Sequence, residues 1–350
     1  MDTSNTAAVQ QAPAGMARYR RSLARIWDQY GMLVIFVILF LLACGLVPNF
    51  ASWINMKGLG LAVSMSGMVA CGMLFCLASG EFDMSVGSVV ACSGVSCAVT
   101  INLTESITIG IFAGLSVGLL FGLINGVVVA KFKINALITT LATMQIARGM
   151  GYIISDGKAV GIAEEGFFEL GNSALFGIPT PIWLTAISFV LFGLLLNKTT
   201  FGRNTLAMGG NEEAARLAGV NVVRTKIIIF TMTGMIAALA GIILASRMTS
   251  GQPMTSIGFE LVVISACVLG GVSMKGGDRQ DLLCYCRGID LRGDGECDES
   301  PQYLSVCSVC GAWRDPVGCG TLRPLQASTQ GTGLGHPTSL LAWWLNAYLR

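Results

Sequence analysis

The chain has 350 residues, 53% of them hydrophobic and only 12% charged, with a mean hydropathy of +0.68. A soluble domain carries about 25% charged residues, so the composition argues against a water-soluble protein and for an integral membrane one. The formal net charge of +2 is too small to point to nucleic acid as a partner. Met1–Gly31 is polar and contains Arg18, Arg20, Arg21 and Arg25. The first apolar run begins only at Met32, with no small-residue cleavage site in the right place. Residues 1–31 therefore read as an uncleaved cytoplasmic tail.

A spanning helix needs about 20 mostly apolar residues. Eight candidate spans follow in order: Met32–Val47, Leu59–Ala78, Val86–Leu103, Ile107–Ala130, Ala136–Ile154, Ile182–Leu196, Ile227–Ala245 and the shorter Leu261–Val272. The second and third are rich in Gly, Ser and Cys, which suits helices buried among other helices. The expected fold class is an all-α polytopic membrane helix bundle. With the N-terminus inside, the inner loops carry Lys131, Lys133, Lys198, Arg203, Arg216, Arg224, Lys226 and Lys275, against Lys57, Lys158 and Arg247 outside. That asymmetry follows the positive-inside rule. Ser155–Thr180 becomes an external loop with Glu164, Glu165 and Glu169.

Among the polar residues inside spans, the candidates for a role are Asn125, Gln145 and Arg148. Two readings are open for them, hydrogen-bonding glue between helices and contacts along a translocation path. Glu81 and Asp83 lie in a short inner turn, GEFDMSVGS, where Asp83 can cap a helix starting near Ser85. No histidine is close enough to make a catalytic pair with them; the sole one is His336.

The polar island Lys198–Lys226, KTTFGRNTLAMGGNEEAARLAGVNVVRTK, interrupts the apolar runs. Asn211 is a good N-cap, Glu212–Ala218 has high helix propensity, and Gly219 is placed to stop that helix. A short surface helix flanked by basic residues results. It can dock on a cytoplasmic partner or lie at the membrane interface.

Glu213-Ala214-Ala215, followed by Gly219, resembles the EAA-x3-Gly pattern of permease subunits of ATP-binding-cassette importers. The wider text is similar to the ribose/arabinose/galactose branch, and most to its arabinose members. It does so at Phe82–Ser88, Asn125–Met144, Gly202–Val220 and Gly251–Gly277. The resemblance implies about ten membrane helices, a homodimer in membrane lipid, and a periplasmic sugar-binding protein delivering a pentose, L-arabinose, with a ribose- or galactose-type permease as the alternative. It also implies that Gly202, Arg203, Asn211, Glu212, Glu213, Ala214, Ala215, Arg216 and Gly219 form the coupling loop gripped by a separate ATPase subunit. The chain itself has no GxxxxGK[ST] phosphate loop. No catalytic residue, metal or cofactor is expected in it. A secondary transporter would need acidic coupling sites at mid-depth, where acidic residues are few.

After Gly277 the resemblance and the hydrophobic periodicity both stop. Asp278–Arg350 holds Cys284, Cys286, Cys297, Cys307, Cys310 and Cys319, six of the twelve cysteines. A membrane-anchored metal-binding protein is the alternative there, but a single CxxC with irregular partners is a poor zinc template. A shifted reading frame accounts for more: codons permissible for Gln302–Arg323, less one base, can read NISPFAQYVVRGVILLAAVLF, an apolar helix. Residues 278–350 are thus expected to be frameshifted and disordered, with a short interfacial helix at Ser339–Leu349.

Overall fold

A computed structural model describes residues 34–272 of the chain. The expectations for the N-terminal tail, for 278–350 and its cysteines, and for Ser339–Leu349 lie outside the described residues.

The described chain is mainly helical, with two minimal ladders and short connections. Helix α1 (Val34–Leu46) is short and apolar, and its side chains are largely exposed. Helix α2 (Trp53–Ala78) ends where Gly80 takes φ +80°: the Gly80 N–H reaches the Leu77 carbonyl and the Glu81 N–H the Cys76 carbonyl. This paired closure satisfies the last carbonyls and turns the chain out of the helix. Helices α3 (Val86–Thr104) and α4 (Ile107–Lys131) form a hairpin, and α5 (Ala136–Ile154) returns under an Asn135 cap whose Oδ1 accepts from the N–H groups of Leu137 and Ile138.

The loop expected to be external folds into β1 (Val160–Gly161), the short helix α6 (Glu165–Asn172) and a hairpin of β2 (Ala174–Leu175) and β3 (Ile178–Pro179). Phe176 and Gly177 make the hairpin turn, both at positive φ, which matches the twist of the strands they join. Helices α7 (Thr180–Lys198), α8 (Thr200–Gly210), α9 (Glu212–Leu217) and α10 (Val222–Met248) follow. Strand β4 (Ser250–Gly251) pairs antiparallel with β1, and α11 (Phe259–Leu269) closes the described chain.

Helix α10 is the centre of the bundle, packed against α2, α3 and α4. The α4 glycines recur every fourth residue, Gly110, Gly114, Gly118, Gly122 and Gly126, and all five are buried. A Cβ on Gly118 would stand 2.3 Å from the Gly234 carbonyl oxygen of α10, so the two backbones touch where side chains would hold them apart. Hydroxyls bridge the remaining seams: Thr233 donates to the Gly72 carbonyl at 3.1 Å and Thr185 to that of Ser64 at 2.9 Å. Ser246 donates to Phe167 and accepts from the Gly171 N–H, fastening α6 to α10. No water competes for such bonds inside a bilayer, so backbone groups must be met within the protein.

Of the eight expected spans, five are helices long and apolar enough to cross a membrane: α2, α3, α4, α7 and α10. The other three are helical as well, but α5 is made less apolar by Gln145, Arg148 and its threonines, and α1 and α11 are short. Two helix starts move by five residues or more. Helix α2 starts at Trp53 rather than Leu59, under a Ser52 cap, and α10 starts at Val222 rather than Ile227, under an Asn221 cap. Lys226 is thereby taken from the island into the first turns of α10.

Candidate functional site

The island folds into two short helices. Its first half, Thr200–Gly210, is helix α8, which local propensity does not announce. The Thr199 hydroxyl caps it by accepting from the Gly202 N–H at 3.2 Å. Gly202 is required by the sharp corner between α7 and α8, since a Cβ there would overlap the Leu196 backbone. Phe201 stacks on Phe75 of α2, which in turn meets Phe192 of α7 edge-on, with centroids 5.8 Å apart in each pair. With Thr205 and Met208 buried as well, α8 is anchored in the core and Arg203 is left exposed.

Helix α9 is held much more lightly. Asn211 Oδ1 accepts from the Ala214 N–H at 2.9 Å, the cap expected at that position. At the other end Gly219 takes φ +88°; its N–H bonds the Arg216 carbonyl, and the Val220 N–H bonds that of Ala215. Ala215 is the one buried residue of α9. Glu212, Glu213, Ala214 and Arg216 are exposed, and Leu217 is 81% exposed. Glu213 pairs with Arg216 on the surface, a contact worth little to stability in water. The result is a capped knob presenting both charges and an apolar tip.

Behind the knob lies a polar path that the sequence did not reveal. Lys226 Nζ donates to Glu212 Oε2 at 2.8 Å and to Glu81 Oε1 at 2.6 Å. Glu81 follows the Gly80 turn after α2. Two residues further, Asp83 is wholly buried, and its Oδ1 accepts from both the N–H (2.9 Å) and the hydroxyl (2.6 Å) of Ser85. Ser85, not Asp83, occupies the N-cap position of α3; Asp83 holds the cap residue rather than the helix. The Ser85 hydroxyl also accepts from Asn125 Nδ2 of α4 at 2.9 Å, while Asn125 Oδ1 is buried with no partner.

Asn125, Gln145 and Arg148 are not brought together. Asn125 joins the Ser85 cluster, and Gln145 is exposed on α5. Arg148 Nη1 donates to the carbonyls of Pro253 (2.8 Å) and Thr255 (2.6 Å), and Nη2 to that of Ser256 (3.4 Å). The segment between β4 and α11 is irregular, with Ser256 and Gly258 at positive φ. Among the described residues the Pro253 and Thr255 carbonyls accept no backbone N–H, and the guanidinium supplies their donors. A signal for Lys226 existed in the sequence, an ammonium directly abutting Ile227-Ile228-Ile229, but its carboxylate lies 145 residues away. Among the described residues no three His, Cys, Asp or Glu side chains gather as metal ligands would.

Residues 55–277 match a family described as "Branched-chain amino acid transport system / permease component". The chain is similar to the L-arabinose transport system permease protein AraH of Escherichia coli K12, at 71% identity over 269 residues, 77% of this chain and 82% of that one. It is 47% identical to the L-arabinose ABC transporter permease protein AraH of Azospirillum brasilense over 79% of this chain and 82% of the other. The ribose import permease protein RbsC of Bacillus subtilis is 39% identical over 72% and 79%. No solved structure matches. A match over more than half of the chain, with relatives this similar along most of their own length, leaves one assignment: the chain is a multi-pass membrane protein and belongs to this family of transport-system permease components.

Proposed function

We propose that this chain is the permease subunit of an inner-membrane ATP-binding-cassette importer for a pentose, L-arabinose. The observation that carries this reading is the 71% identity to an L-arabinose permease over 269 residues. A separate ATPase subunit docks on α9, whose capped ends fix its geometry while its charged face and Leu217 remain exposed. The α8–α9 end then faces the cytoplasm together with the N-terminus, and the α6 and β-hairpin end meets the sugar-binding protein. A second copy completes the pathway. ATP is hydrolysed by the partner, and closure of two ATPase subunits would drive α9 and change which side of the pathway is open.

The test is charge reversal on the knob. Glu213 is exposed and its ion pair contributes little to folding, so Glu213→Lys should leave the yield unchanged and the unfolding free energy within about 1 kcal/mol of wild type. Co-purification of the ATPase subunit and L-arabinose uptake should each fall about tenfold, equivalent to ~1.4 kcal/mol of docking energy. Unchanged assembly and uptake would remove α9 as the docking element.

We also infer that the reading frame shifts after Gly277. The family match ending at that residue supports the inference, as does the apolar helix that the shifted frame can encode.

A further inference from the structure

Lys226 meets two carboxylates from unrelated parts of the chain, Glu212 at the start of α9 and Glu81 in the connection between α2 and α3. The two contacts differ in their access to water. Lys226 and Glu81 side chains are 9% and 19% exposed, whereas Glu212 is 54% exposed. We propose that Lys226 is a positioning residue that relays displacement of α9 through Glu81 to the Asp83–Ser85–Asn125 cluster, and so to the first turn of α3. This rests on the reading of α9 as the ATPase contact.

The physical basis is that a nearly buried ammonium cannot be left without a carboxylate except at large cost. When α9 shifts, the flexible lysine side chain must follow Glu212 or lean wholly on Glu81. Either response changes the pull on Glu81, two residues from Asp83. Helix α9 is free to shift because Ala215 is its one buried residue, Glu212 ties it only through the long Lys226 side chain, and helix breaks at Asn211 and Gly219 bound it. The receiving cluster has a second arrangement available. Ser85 now donates to Asp83 and accepts from the Asn125 amide, leaving Asn125 Oδ1 buried and unpaired. If the amide turns over, the Ser85 hydroxyl can donate to Oδ1 instead and release Asp83. The hydroxyl then makes one bond fewer and the Asn125 amide hydrogens lose it as acceptor, so the second arrangement lies higher by the cost of an unmade bond, a minor state that a pull on Asp83 can populate. A relay needs such a bistable element, not mere proximity.

The test is backbone hydrogen exchange at Glu81–Ser85 in the full chain, with and without its cognate ATPase subunit. In wild type, ATPase binding should change exchange of these amides at least about fivefold, because opening of a locally bonded segment sets the exchange rate. Glu81→Ala cuts the relay outside the docking knob and leaves Lys226 paired with Glu212. It should bind the ATPase within about twofold of wild type and lose the exchange response. Should Glu81→Ala not fold, the isosteric Glu81→Gln keeps the test, and its response should be at least halved. A wild-type response in the folded Glu81 variant overturns the relay while leaving α9 as the docking element. Failure of wild type to bind the ATPase overturns the docking reading and the relay with it.

Discussion

Asp83 shows how one buried carboxyl can work against stability and still be kept. Burial pushes its titration above the usual value of 3.8, opposed by the bonds it accepts from the Ser85 hydroxyl and N–H. The folded protein therefore binds a proton at a pH where the unfolded chain has lost it. Its contribution is fully present below the unfolded value and declines as pH rises through the raised folded value. Asp83→Asn retains an oxygen for both Ser85 bonds and has no charge to bury. Its unfolding free energy should be less dependent on pH than that of wild type above pH 4, whereas Asp83→Ala should cost about 1–3 kcal/mol at all pH values by orphaning the Ser85 N–H. Denaturation in detergent at stepped pH values measures both slopes, and equal slopes in wild type and Asp83→Asn would refute the assignment.

At the scale of elements, the glycine ladder of α4 decides how near α10 can come. Gly118→Ala or Gly234→Ala places a methyl 2.3 Å from a facing carbonyl oxygen, and neither backbone can yield without breaking the seam. Each should cost about 1–3 kcal/mol. Gly149 of α5 has nothing within 4 Å of where its Cβ would lie, so Gly149→Ala should be neutral or stabilising by up to about 1 kcal/mol. Thermal unfolding of the three variants in one detergent compares them directly. The spans were legible because apolar composition alone defines a membrane helix, and α9 was legible because Asn211, Glu212–Ala218 and Gly219 spell cap, body and stop in one short stretch. Helix α8 was not, because Gly202, Gly209 and Gly210 lower its propensity and its stability comes from Phe201 and Met208 packing on distant helices. The start of α2 was hidden by Asn55, Lys57 and Gly58. The Lys226 bridge was hidden for another reason: hydropathy reports depth, not which of several charges share a depth.

For the whole molecule, exposed Leu, Ile, Val and Phe on α1, α4, α5 and α7 form apolar surface that a bilayer or a second copy must cover. In the proposed frame, helices after Gly277 would cover part of it. Sequencing genomic DNA across the codons for Lys275–Arg287 should find one base more or fewer than this chain implies. A confirmed frame would leave a permease with its docking knob intact and its helix set short, and L-arabinose uptake by that chain should then be absent.

The hold that Arg148 keeps on Pro253, Thr255 and Ser256 also sets an order of events during synthesis. Its carbonyl partners are made 105 to 108 residues later, long after α5 has left the ribosome. An unpartnered arginine near a helix centre costs about 2.5–3.5 kcal/mol on entering a bilayer, and α5 is the least apolar of the long helices. Helix α5 should therefore be held more firmly once the chain beyond α10 arrives to receive its guanidinium, and Arg148→Leu should make insertion of a chain truncated before Pro253 more efficient. The fourth turn of α5 is thus completed by a segment that follows α10, five helices downstream.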